Sequence, residues 1–129
     1  MSLNPFSHID LRVRQLGDAT EFYREFLPAI GFTEQWEGEE WRGNSALGTF
    51  PSKPFFGFTE DPNHQPNGTR IAFWVNSSAE VDRVAEIIQR AGAKNIEGPL
   101  SNPEYNETYY AVFFDDPSGN RLEVVHRQK

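Results

Sequence analysis

The sequence predicts an α+β fold in which two βαβββ modules form a cupped mixed sheet assembly. Three observations predict it. The same order of strand-like and helix-like segments occurs twice, each helix-like segment ends near a glycine, Gly31 or Gly92, and a segment rich in Pro, Asn and Gly separates the halves. We therefore expect one domain over residues 1–129, with a first module at about 6–60, a connector at 61–69 and a second module at about 70–127.

The first half opens with a strand, because apolar and polar residues alternate over 7–13. One face of this strand carries Ile9, Leu11 and Val13, and the other carries His8, Asp10 and Arg12. A helix is expected next, since Asp18 and Glu21 have the spacing of a capping box and apolar residues follow at helical spacing. Three strand-like runs complete this half, at 32–36, 41–47 and 55–59.

The second half repeats this order. Residues 70–75 form its first expected strand, and Ser77 with Glu80 forms a second capping box. The predicted helix then buries the apolar positions Val81, Val84, Ala85 and Ile88. The remaining expected strands lie at 94–97, 109–114 and 121–126.

A tight turn at 116–120 joins the last two strands, because Pro117 presets φ and Gly119 accepts a positive φ. Glu123 then stands among apolar neighbours in the final strand. A carboxylate is expensive to bury without a cation, a hydrogen bond or a proton, so Glu123 needs a partner. Across the hairpin, Tyr109 and Phe113 are expected on the same face of the sheet as Glu123.

Composition limits the classes of partner. The 129 residues carry a net charge of −7, which argues against binding to nucleic acid or to an anionic membrane. The absence of cysteine excludes disulfides and thiolate chemistry. The sequence has no long apolar run of the kind that inserts into a membrane. We expect a cytoplasmic protein that binds a small molecule.

Each module leaves one sheet face uncovered by its helix, and pairing two such modules encloses a cleft. The cleft is expected to bring together the inward residues His8, Arg70 and Glu123. If residues 51–52 are matched with residues 117–118, both Pro-Ser, the position equivalent to Glu123 falls on Gly57. The sequence therefore predicts a histidine, an arginine and a glutamate in one hollow.

This order of elements, with His8 opening the first strand and Asp-Pro-Ser-Gly-Asn-Arg-Leu-Glu at 116–123, resembles the vicinal oxygen chelate superfamily. That superfamily includes glyoxalase I, bleomycin-resistance proteins and extradiol dioxygenases. The resemblance implies a homodimer and a divalent metal held by His8 and Glu123. It also implies lyase, isomerase or dioxygenase chemistry on a small oxygenated metabolite, with Glu123 as catalytic base. The sequence departs from the family pattern at Arg70 and Gly57, where two further ligands are expected.

Two interpretations of Glu123 stay open from the residues. It is either a metal ligand with His8, or the partner of Arg70 in an ion pair without a metal, with His8 hydrogen-bonded beside them. Arg70 is also a candidate to bind a ligand carboxylate or phosphate through two parallel N–H groups, and Arg12 and Arg121 could contribute to the same anion site. Substrate contacts are expected from Arg70, Trp74, Arg12, Tyr109 and Phe113.

Two functions therefore compete. One is a metal-dependent enzyme, and the other is a metal-free protein that binds or sequesters a small molecule, as bleomycin-resistance proteins do. Residues 98–107 are expected to form a long loop, either a lid that brings Tyr105 over the cleft or a solvated connector.

Overall fold

The computed structural model describes residues 5–39, 41–45 and 54–128. The chain divides into two compact units, unit 1 (Met1–His64) and unit 2 (Gln65–Lys129). Each unit is a βαβββ module, which confirms the predicted α+β class. The predicted strand residues 46–47 and the matched residues 51–52 lie outside the described part of the chain.

The elements of unit 1 are β1 (His8–Val13), α1 (Leu16–Ala29), β2 (Glu34–Glu37), β3 (Trp41–Ser45) and β4 (Phe55–Glu60). The sheet has the order β1-β4-β3-β2, with β1 parallel to β4 and the other pairs antiparallel. Helix α1 covers one face, where Tyr23 stacks on Phe58 with ring centroids 4.8 Å apart. The opposite face carries the alternate residues of each strand.

The elements of unit 2 are β5 (Arg70–Trp74), α2 (Ser78–Ala91), β6 (Lys94–Ser101), β7 (Tyr110–Asp115) and β8 (Arg121–His126). The sheet order β5-β8-β7-β6 repeats that of unit 1, again with one parallel pair. Helix α2 buries the four predicted apolar positions Val81, Val84, Ala85 and Ile88. None of the described helices is both long and apolar enough to cross a membrane.

The two helix starts differ from each other. Ser77 caps α2 as predicted, accepting a hydrogen bond from the Glu80 N–H at 3.2 Å. The predicted capping box at Asp18 is wrong, because α1 begins at Leu16 with Gln15 at the N-cap. The Glu60 carboxylate, at the end of β4, accepts the Leu16 N–H at 2.9 Å and replaces a local cap.

Strand β6 is longer than predicted. It runs to Ser101, so the first four residues of the expected loop 98–107 belong to the sheet. The predicted turn at 116–120 is confirmed: the buried Asp116 carboxylate accepts the N–H groups of Ser118 and Asn120, both at 2.9 Å. Gly119 has the positive φ, +87°, that the turn requires.

The strand registers confirm the matching of Gly57 with Glu123. Gly57 pairs with Asp10, the third residue of β1, and Glu123 pairs with Ala72, the third residue of β5. Gly57 also lies opposite Gly43, whereas Glu123 lies opposite Phe113. Unit 1 thus has two glycines where unit 2 has a phenylalanine and a glutamate.

Candidate functional site

Glu123 is the buried polar centre of unit 2, with only 1% of its surface exposed. Strand alternation places it on the face opposite helix α2. Phe113 is its partner across the hairpin, and Val125 is the next residue of β8 on the same face. Both neighbours are themselves buried. The carboxylate therefore has almost no access to water and depends on protein partners.

Two side chains supply those partners, one to each carboxylate oxygen. The Tyr109 hydroxyl donates a hydrogen bond to Oε2 of Glu123. The Arg70 Nε lies 3.3 Å from Oε1. Tyr109 comes just before β7, so the hairpin register delivers it to the face on which the sequence predicted it. The structure thus contains the Arg70–Glu123 contact that the ion-pair interpretation requires.

Arg70 is held at one end and exposed at the other. Its guanidinium lies over the Phe113 ring, 5.4 Å from the centroid, and Nε faces Glu123. The side chain is 47% exposed, and its two terminal nitrogens have no partner among the residues that the structure describes. A guanidinium fixed in this way presents two parallel donors, the arrangement that binds a carboxylate or phosphate.

Tyr109 is a neutral donor over the whole physiological range. Burial, the hydrogen bond to Glu123 and the negative charge of that carboxylate raise the pKa of Tyr109 from 10.0 to about 12, while the Arg70 charge opposes this. The Tyr105 ring packs edge-on against Tyr109 at 5.2 Å. Tyr105 is itself 58% exposed, and the closing movement predicted for its loop stays a prediction.

The raised pKa of Tyr109 makes stability depend on pH. Between pH 10 and about 12 the native phenol keeps its proton while an unfolded chain loses it, so stability falls as pH rises through this window. We expect Tyr109→Phe to flatten this fall in urea unfolding, and to remove a tyrosinate absorbance transition near 12. Tyr110→Phe is the matched control, because the hydrogen bond to Asp82 raises the pKa of Tyr110 without Glu123. A Tyr109 that titrates near 10 would show that its bond to Glu123 does not form.

Other predicted site residues lie elsewhere. Arg121 does not join Arg70, because it pairs with Glu97 at 2.7 Å and Asp115 at 3.1 Å, near the end of the hairpin. This corrects the expectation that it adds to an anion site. Trp74 shares the face of Arg70 by register, but its ring lies under the Arg127 guanidinium at 4.2 Å.

In unit 1, Arg12 pairs with Asp10 at 2.9 Å. His8 lies flat on Phe55, with ring centroids 4.4 Å apart, and its Nδ1 lies 3.0 Å from the Ser7 hydroxyl. The expectation that His8 shares a cleft with Arg70 and Glu123 joins residues of different units and stays a prediction.

Unit 1 also has a cavity of about 230 Å³ on the face of its sheet opposite α1. It is lined by His8, Asp10, Trp36, Trp41, Phe55, Gly57, Phe58 and Thr59. Trp36, Trp41 and Phe55 are not among the site residues predicted from the sequence. Glycines inside β3 and β4 were the available indication, since a glycine in a strand interior often marks a close approach of another group.

The residues around Glu123 do not fit a divalent metal. Its two oxygens already contact Arg70 and Tyr109, and an arginine cannot give up its proton to become a ligand. Gly57 has no side chain to offer. Within residues 5–39, 41–45 and 54–128, no three His, Cys, Asp or Glu side chains cluster as a metal site would require.

Comparison with solved structures supports the fold. A glyoxalase/bleomycin resistance protein from Albidiferax ferrireducens T118 superposes with a TM-score of 0.78 at 22% identity, covering 97% of this chain and 100% of its own. The fosfomycin resistance protein FosX from Listeria monocytogenes, complexed with Mn(II) and sulfate, gives 0.70 at 20% identity over 98% and 93%. FosX from Mesorhizobium loti gives 0.69 at 16% identity over 98% and 95%. These identities establish a shared fold only.

No curated protein sequence matches the chain significantly. The family model of the Glyoxalase/Bleomycin resistance protein/Dioxygenase superfamily matches residues 6–124. This match spans both units and contains Arg70, Tyr109 and Glu123. The chain therefore belongs to the glyoxalase/bleomycin resistance protein/dioxygenase superfamily.

Proposed function

We propose that this protein binds a small anionic molecule without a metal, and that Arg70 contacts the anionic group. One observation carries the proposal: Nε of Arg70 is engaged by a buried carboxylate while its terminal nitrogens are unpaired among the described residues. A carboxylate, phosphate or phosphonate accepts two parallel N–H bonds from such a fork. Trp74, Tyr109 and Phe113 stay in the proposal as flanking contacts, and Arg12 as a contact from unit 1.

The surroundings of Arg70 support binding because they fix its position before a ligand arrives. Glu123 holds Nε, the Phe113 ring lies against the guanidinium, and Tyr109 holds Glu123 from the other side. An arginine whose rotamer is already fixed loses less conformational entropy when it binds. A local cation can attract an anion although the chain carries a net charge of −7.

Related structures support the chemical class. FosX from Listeria monocytogenes has been solved with sulfate, and a variant of it with 1S,2S-dihydroxypropylphosphonic acid. Both molecules are small anions with tetrahedral oxygen groups. For this chain we extend the proposal to small carboxylates as well, because a guanidinium binds either group.

A metal-dependent lyase, isomerase or dioxygenase is the second candidate. The Mn(II) in the Listeria FosX complexes favours it, and His8 and Glu123 would then be the ligands, with Glu123 as general base. This candidate requires Glu123 to leave Arg70 and Tyr109. Ligand binding would then depend on added metal, which separates the two candidates.

The homodimer expected from the resemblance and a cytoplasmic location belong to the same proposal. A chain without cysteine has no disulfide to protect, which suits a reducing compartment. The molecular mass in solution gives the number of chains in the assembly. Together with the number of anions bound per chain, it shows whether each protomer has its own site.

Calorimetric titration with phenylphosphonate and benzoate tests the proposal. We expect binding in the presence of a chelator, and a weakening of about tenfold to a hundredfold in Arg70→Lys, because lysine keeps the charge but loses the fork. Arg83→Lys is the matched control, since Arg83 is also 47% exposed and pairs with the Glu80 carboxylate.

Three outcomes would contradict the proposal. Binding that appears only after Mn²⁺ is added, and that is lost in His8→Ala and Glu123→Ala, would favour the metal enzyme. Equal weakening in the Arg70 and Arg83 variants would indicate nonspecific attraction. Absence of binding to either anion would remove the assignment of Arg70.

A further inference from the structure

Four aromatic side chains of unit 1 form what we call the aromatic cleft: His8, Trp36, Trp41 and Phe55. Their rings are arranged at steep angles. Trp36 meets Trp41 at 4.4 Å and 69°, and meets Phe55 at 5.6 Å and 77°, while His8 stacks flat on Phe55. All four side chains line the 230 Å³ cavity.

The floor of the aromatic cleft exists because two paired strand residues lack side chains. A Cβ at Gly43 would lie 2.6 Å from the Trp36 ring, and one at Gly57 would lie 3.1 Å from it. The indole thus lies directly on the Gly43–Gly57 pair. In unit 2 the corresponding positions hold Phe113 and Glu123, so the cleft is specific to unit 1.

One carboxylate lines the same cavity. Asp10 uses a single oxygen, Oδ1, to accept from Arg12 at 2.9 Å and from the Thr59 hydroxyl at 2.9 Å. Its other oxygen has no partner in the described part of the chain. Arg12 does not line the cavity, whereas Asp10 and Thr59 do.

We propose that the aromatic cleft binds a small planar aromatic cation. Tryptophan faces attract cations through the ring quadrupole, and a carboxylate at the same cavity selects positive charge. The net charge of −7 favours the approach of a cation. The cavity is below the roughly 300–1,000 Å³ of drug-sized sites, so a bicyclic ring system is the expected size.

This proposal rests on different observations from the proposed function. The site is built from unit 1 alone and takes a positive ligand, whereas Arg70 lies in unit 2 and takes a negative one. Either proposal can therefore fail without the other.

N-methylquinolinium tests the proposal, with quinoline as the neutral probe of equal shape and 2-naphthoate as the anionic one. We expect N-methylquinolinium to quench tryptophan fluorescence and bind most tightly. Trp41→Ala should weaken it about tenfold, and Asp10→Asn should weaken it several-fold while reducing its preference over quinoline. Trp41 is 49% exposed, so its removal leaves the core intact.

The chain offers a matched control for each variant. Phe6 is 70% exposed and is not among the residues that line the cavity, so Phe6→Ala should leave N-methylquinolinium binding unchanged. Glu80 pairs with Arg83 at 2.9 Å, as Asp10 does with Arg12, so Glu80→Gln should also have no effect.

The proposal is overturned if quinoline or 2-naphthoate binds as tightly as N-methylquinolinium, because charge would then not select the ligand. It is equally overturned if Phe6→Ala weakens binding as much as Trp41→Ala does. Absence of any quenching or heat with the intact chain would remove the site.

Discussion

Replacing Arg70 with methionine is expected to lower the free energy of unfolding by about 3 kcal/mol, the cost of leaving a buried charge without its partner. Glu123 is 1% exposed, so water cannot replace the guanidinium. The Tyr109 hydroxyl would remain as its sole described polar contact. Methionine retains much of the aliphatic stem, so lost packing contributes little.

The opposite change is expected to cost less. Glu123→Gln should lower the free energy of unfolding by about 1 kcal/mol, because the amide oxygen still accepts from Tyr109 while the ion pair with Arg70 is lost. The Arg70 side chain it leaves behind is 47% exposed and can be hydrated. The direction of this asymmetry follows from which partner is buried.

The double variant Arg70→Met/Glu123→Gln makes the argument quantitative. Once the carboxylate is neutral, loss of the guanidinium leaves no buried charge, so the double variant should be more stable than Arg70→Met alone. Urea unfolding at neutral pH measures all three variants. Arg83→Met is the control and should stay within about 0.5 kcal/mol of the wild type. Additive effects of the two single changes would show that Arg70 and Glu123 are not coupled.

Much of the environment of Glu123 was predictable from the sequence because the determinants are local. The turn at Asp116 and Gly119 fixes the register of the last hairpin, and this register decides which face of the sheet each residue occupies. Tyr109 and Phe113 consequently fall on the face of Glu123. The repeated order of elements predicted that Arg70 opens the strand beside it, which gave the ion pair as one of two interpretations.

The remainder depends on contacts between residues far apart in the chain. Glu60 caps α1 from the end of β4, and no pattern near Asp18 could indicate that the helix begins earlier. Arg121 lies on the same face of the sheet as Glu123, two residues away, but its length allows it to reach Glu97 and Asp115 instead. Strand alternation fixes the face of the sheet from which a long side chain starts, but it does not fix where the charged end of that side chain lies.

The aromatic cleft shows the same limit for a small residue. Matching the two halves of the sequence compares only equivalent positions, so from the sequence Gly57 indicates the loss of a metal ligand. The structure adds the cross-strand neighbour Gly43 and the ring of Trp36 that covers both glycines. A missing side chain in one half is thus also the space into which an aromatic ring packs.

Gly43→Ala is therefore expected to lower the free energy of unfolding by about 3 kcal/mol, at the upper end of what overpacking costs. The new methyl group would collide with the Phe56 backbone oxygen and lie 2.6 Å from the Trp36 ring. A backbone oxygen in the sheet cannot move without disturbing the pairing of β3 with β4. Gly57→Ala should cost about 1 kcal/mol, because only the edge of Trp36, at 3.1 Å, must give way.

Gly68→Ala is the matched control, since a Cβ there meets nothing within 4 Å and Gly68 has no positive φ. Urea unfolding followed by tryptophan fluorescence measures the three variants, and near-ultraviolet circular dichroism reports the Trp36 environment directly. A Gly43→Ala protein as stable as Gly68→Ala would mean that Trp36 does not lie on the glycine pair. The floor of the aromatic cleft would then be lost, and the proposed cation site would lose the Trp36 ring.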